Sequence, residues 1–71
     1  VSIFNIKMKT LIVKADDGRE YHVDKPNDFY QHLVDFHSDN SIGNNSVHEE
    51  NGYYFTVTPS FYDTVKKFIE K

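Results

Sequence analysis

Apolar residues in this chain alternate with polar ones in two stretches and recur at helical spacing in two others. Leu11 and Val13, then Tyr21 and Val23, step by two on either side of Asp16-Asp17-Gly18 and predict a pair of strands around a tight turn. Phe29, Leu33 and Phe36 then recur at i, i+4 and i+7, which gives a helix one apolar face. The same order returns downstream. Val47, Phe55 and Val57 flank Glu50-Asn51-Gly52, and Phe61, Val65 and Phe68, extended by Ile69, repeat the helical spacing.

The two stretches also align residue by residue. Gly18-Arg19-Glu20-Tyr21-His22-Val23 lies over Gly52-Tyr53-Tyr54-Phe55-Thr56-Val57 without a gap. Two single-residue gaps then bring Pro26 onto Pro59, Phe29-Tyr30 onto Phe61-Tyr62, Leu33 onto Val65 and Phe36 onto Phe68; upstream, Val13 falls on Val47. The reading is a single α+β domain over 1–71 built from a duplicated ββα unit (ββαββα). The first copy covers about 11–38, a linker about 39–45 and the second copy about 46–71. The simplest assembly is a four-stranded, mainly antiparallel sheet with both helices on one face. A β-grasp-like topology, which also begins with a hairpin and a helix, is the alternative.

Turn length decides which side chains face inward. A three-residue loop ending in a left-handed glycine sets Val13 opposite Tyr21 and Leu11 opposite Val23, whereas a two-residue turn sets Val13 opposite His22. A one-residue slip exchanges the two faces, and only the first choice pairs apolar residues. The same choice in the second copy pairs Val47 with Phe55, so a three-residue loop is expected in both hairpins. Pro26 and Pro59 suit the first turn of each helix, with Asp24 and Thr58, or Asn27 and Ser60, as caps. The first helix should end near Ser38, where a polar Asn- and Ser-rich stretch begins.

With those registers, the sheet face away from the helices carries Ile12, Lys14, Glu20, His22, Tyr54 and Thr56. Phe4, Ile6 and Met8 alternate in phase with Ile12 and out of phase with Leu11 and Val13. Either a bulge near Lys9-Thr10 turns them into the core, or Phe4, Ile6, Met8 and Ile12 extend an apolar stripe over the helix-free face. Phe4, Ile6, Met8, Ile12, His22, Tyr54 and Thr56 are therefore the candidate interaction face.

Composition narrows the chemistry. The 71 residues are 38% hydrophobic, with six phenylalanines and five tyrosines, so aromatic burial must supply much of a thin core. The chain has no cysteine, which excludes disulfides and thiolate metal sites, and a cytoplasmic setting fits. A net charge of −3 argues against nucleic-acid or anionic-membrane binding, and no apolar run approaches a membrane span. Nothing in the first residues has the pattern of a signal peptide.

Four histidines, His22, His32, His37 and His48, lack the i, i+4 spacing of paired helical ligands, and His32 and His37, five apart, diverge on a helix. They are expected to be solvated or structural, with no metal and no cofactor. Asp16, Asp17, Glu49 and Glu50 form a candidate acidic patch at corresponding hairpin ends, which raises the alternative of a nucleic-acid mimic that inhibits a DNA- or RNA-binding protein. Phosphate-cradling glycine loops and nucleophile elbows have no counterpart in the sequence. The expectation is a non-enzymatic interaction or regulatory module with no catalytic residues. Its partner would be another protein or a second copy of itself in a homodimer, not nucleic acid or membrane. A small enzyme or metal-binding protein ranks last.

Overall fold

A computed structural model describes residues 10–70. Phe4, Ile6 and Met8, and with them the choice between a bulge and an apolar stripe, lie outside these residues. Strands β1 (Leu11–Lys14) and β2 (Glu20–Val23) pair antiparallel, with Leu11 opposite Val23 and Val13 opposite Tyr21. This is the register that apolar pairing requires. Gly18 takes a φ of +93° and donates its N–H to the Ala15 carbonyl at 2.9 Å, while the Ala15 N–H reaches the Arg19 carbonyl at 2.8 Å. The loop is thus Asp16-Asp17-Gly18, with glycine in the left-handed conformation that a side chain disfavours. The Asp17 carboxylate fastens it by accepting from the Arg19 N–H at 3.0 Å and from Arg19 Nε at 2.7 Å.

Helix α1 (Pro26–Phe36) follows with proline in its first turn. Its N-cap is Lys25, without a side-chain hydrogen bond, so neither Asp24 nor Asn27 caps it as expected. Phe29 and Leu33 are buried, but Phe36 is 65% exposed. The helix ends at Phe36, and His37, at φ −131°, leaves the helical path and takes the inward position instead.

The polar stretch after α1 is not a featureless linker. It forms a short hairpin of β3 (Ser38–Asp39) and β4 (Ile42–Gly43), turned by Asn40 and Ser41 at φ of 53° and 65°. Gly43 lies so close to the backbone of Val57 and Thr58 that a Cβ there would collide with their carbonyl oxygens.

Strands β5 (Val47–Glu50) and β6 (Tyr53–Thr56) form the second long hairpin, and here the expected register fails. Asn51 and Gly52 both adopt positive φ, 51° and 85°, which makes a two-residue turn. Val47 pairs with Thr56 rather than Phe55, and His48 stands opposite Phe55. One residue fewer in the loop exchanges the faces of β5: Val47 is 53% exposed and His48 only 3%. Asparagine tolerates the left-handed conformation that the first turn position demands. At the equivalent position of the first hairpin, Asp17 does not adopt it.

The four long strands do not merge into one sheet; the described residues contain three separate two-stranded sheets. The hairpins meet where β1 has already entered its turn. Asp16 donates its backbone N–H to the Tyr54 carbonyl at 2.8 Å, and the next donor on β6, the Thr56 N–H, goes to the Asp16 carboxylate at 2.8 Å. A side chain thus replaces the carbonyl of a neighbouring strand, and the ladder stops. The Arg19 guanidinium lies over the Tyr53 ring, 4.2 Å from its centre, and Tyr21 packs on Tyr53 at 4.8 Å.

Helix α2 (Pro59–Glu70) closes the core. Thr58 caps it, its Oγ1 accepting from the Phe61 N–H at 3.1 Å. Its buried residues are Tyr62 and Val65, while Phe61, Phe68 and Ile69 are half-buried, so the inner face is turned toward Tyr62. The core joins Leu11, Val13, Val23, Phe29, Leu33, Phe55, Val57, Tyr62 and Val65. The architecture is a small α+β fold of two helices and short antiparallel strand pairs.

Candidate functional site

The outward faces of the two long hairpins follow directly from their registers. On the first, Ile12 stands across from His22, and both are exposed. On the second, Tyr54 stands across from Glu49 and Thr56 across from Val47. Ile12, Val47 and Tyr54 are 44%, 53% and 56% exposed. Val47, assigned inward from the sequence, thus adds to this face. Thr56 contributes less, because its N–H and hydroxyl are both committed to the Asp16 carboxylate.

All four residues of the candidate acidic patch hold structure together. Asp16 binds Thr56 and Asp17 binds Arg19. The Arg19 backbone and side chain together hold the Asp17 carboxyl below its usual range. Glu49 accepts the Gly52 N–H at 2.9 Å, within the turn. Glu50 accepts from the Tyr21 hydroxyl at 3.0 Å and from His48 Nε2 at 2.9 Å. Burial, and after it the Glu50 carboxylate, push the Tyr21 phenol upward; the amide of Asn51, donating to the same oxygen at 2.8 Å, opposes them.

Three of the four histidines converge. His32 lies in the penultimate turn of α1, His37 just beyond its end and His48 on the inward face of β5. The rings of His32 and His37 stack at 5.8 Å, while His48 sits edge-on to both, at 4.7 and 5.2 Å. His37 and His48 are buried and His32 is exposed. Two departures from the sequence reading produce this meeting. Divergence at a spacing of five holds only if both residues belong to the helix, and His37 does not. The inward placement of His48 follows from the two-residue turn. His22, on the outward face, stays apart.

Hydrogen bonds outside the cluster set two of the tautomers. The Ser46 N–H and Ser46 Oγ both donate to Asn44 Oδ1, at 3.0 and 2.5 Å. With its only proton committed, the Ser46 hydroxyl accepts from His37 Nδ1 at 2.6 Å. His37 Nε2 keeps its lone pair. His48 Nε2–H donates to the Glu50 carboxylate, which in the neutral ring places the lone pair on Nδ1. Burial, and then the neighbouring His48 and His32, lower the pKa of His37 and favour its neutral form. His32 also borders a cleft of about 340 Å³ lined by Asp24, Lys25, Asp28 and Glu50.

Among the described residues, no helix is long and apolar enough to cross a membrane. No protein-family model, no curated protein and no solved structure matches the chain.

Proposed function

We propose that this chain is a non-enzymatic interaction module that binds a protein surface through the outward faces of its two long hairpins, with a second copy of itself as first partner. The observation that carries this reading is the exposure of Ile12, Val47 and Tyr54 on strands whose opposite faces bury Leu11, Val13, His48 and Phe55. Large apolar side chains on an otherwise polar face are favoured interface material, and a thin core gains from covering them. Lys14 lies beside Glu20 on the same face, so both signs of charge are available to a two-fold partner. A cytoplasmic setting suits a chain without cysteine. We take the two hairpin–helix units as divergent copies of one ββα unit whose turns have since drifted apart.

The nucleic-acid mimic finds less support, because each of its four carboxylates already accepts hydrogen bonds from within the fold. Sedimentation equilibrium at tens of micromolar tests the self-association reading. A dimer that Ile12→Asp or Tyr54→Asp dissociates, with folding retained by circular dichroism, is the expected result. A wild-type chain that stays monomeric throughout would refute the homodimer.

A further inference from the structure

We propose that His32, His37 and His48 form a binding site for a divalent transition metal of the zinc class, held by three imidazoles with one coordination position left open. One nitrogen from each ring lies within 4.8 Å of those of the other two. Ligands at about 2.0–2.1 Å from zinc in tetrahedral geometry stand about 3.3 Å apart, so the rings must close by about 1.5 Å at most. His32 is the one that can move, since it is exposed while the other two are buried.

The surroundings of the buried pair are those of metal-ligating histidines. A ligating imidazole typically donates its second N–H to a carboxylate or another oxygen, which fixes the ring and raises its basicity. His37 does so to Ser46, itself anchored on Asn44, and His48 does so to Glu50, itself anchored by the Tyr21 hydroxyl. Each bond is made by one ring nitrogen and leaves a lone pair on the other. Aromatic packing alone would not call for two buried histidines that each have one ring nitrogen held by a hydrogen bond. Phe29 and Phe55, which pack on His48 at 5.2 and 6.2 Å, give the cluster an apolar wall on the core side.

The donor set selects the class of ion. Neutral imidazoles suit zinc, copper or nickel, whereas calcium and magnesium demand oxygen ligands. The cleft beside His32 supplies an approach whose acidic residues, Asp24, Asp28 and Glu50, outnumber its single lysine, Lys25. Bound metal would tie the end of α1 to β5, two elements that otherwise meet here through side-chain packing.

The test is calorimetric titration of the untagged full chain with Zn²⁺, with Mg²⁺ as a parallel arm and Co²⁺ absorption as a report on geometry. The expected result is one Zn²⁺ per chain, no heat with Mg²⁺ and the intense visible bands of four-coordinate cobalt. His32→Gln, at an exposed position, should leave the fold intact and weaken zinc binding by more than ~100-fold. Ser46→Ala should weaken it by ~10–100-fold, the usual effect of losing the partner of a ligating histidine. Nitrogen shifts of the imidazoles should move for His32, His37 and His48 and stay put for His22. Absence of stoichiometric zinc binding, or binding that His32→Gln leaves unchanged, would overturn the proposal.

Discussion

The carboxylate of Asp16 accepts both the backbone N–H and the hydroxyl of Thr56, at 2.8 and 2.7 Å, and this pair joins the two long hairpins at the point where their ladders fail to meet. Asp16→Ala removes both bonds and leaves the Thr56 N–H without its partner. Hydrogen bonds to a charged group contribute about 1.5–3 kcal/mol, less where water competes as it does here. A loss of about 1–2 kcal/mol in urea denaturation is expected, with Asp16→Asn retaining part of it through its amide oxygen.

The register of the second hairpin gives a direct contrast in the core. Leu33 is fully buried, so Leu33→Ala should cost about 2–5 kcal/mol through lost transfer energy and the cavity left behind. Val47 faces outward, and Val47→Ala should cost no more than about 0.5 kcal/mol in dilute protein, as for ordinary surface changes. Under the three-residue loop, with Val47 packed beside Phe55, both substitutions would be damaging. Denaturation midpoints of the two variants separate these outcomes.

Two glycines should respond unequally to alanine. Gly52 has open space around it, and Gly52→Ala meets only the cost of a positive φ, about 1 kcal/mol. Gly43 is pressed against the Val57 and Thr58 carbonyls, so Gly43→Ala must push backbone away and should cost about 2–3 kcal/mol. Thermal unfolding of the pair should rank Gly43→Ala as the less stable.

The Tyr30 phenol is pushed up to about 12, first by the neighbouring Tyr62 hydroxyl and then by burial. Its folded value stands above the ordinary 10.0, so its contribution to stability is complete below pH 10 and is lost as pH rises from 10 toward 12. Alkaline titration followed by phenolate absorbance should show a late step that Tyr30→Phe removes. Wild-type stability should fall more steeply than that of Tyr30→Phe over the same interval.

Much of the frame was legible from residue spacing. The first hairpin's register followed from pairing Val13 with Tyr21, because the alternative would have set valine against histidine. Both helices begin at their prolines, and Thr58 caps the second as its hydroxyl and position suggest. Phe36 was misassigned because helical periodicity says which face a residue would occupy, not whether the helix still exists at its last turn. The sheet was overextended because strand pattern is blind to an aspartate side chain that takes over a backbone hydrogen bond.

The candidate metal site lay beyond that reading for a related reason. Local sequence determined the order of hairpins and helices, the first hairpin's faces and the start of each helix, since turn chemistry and apolar period act over a few residues. Tertiary structure alone decided whether Asn51-Gly52 makes a two-residue turn and whether His37 continues its helix. Each is a one-residue choice that local preference leaves nearly balanced, and packing settles it by what each outcome buries. Together the two choices carry His37 and His48 inward against Ser46, Glu50 and Phe29, and so bring three histidines that are scattered in sequence into one cluster.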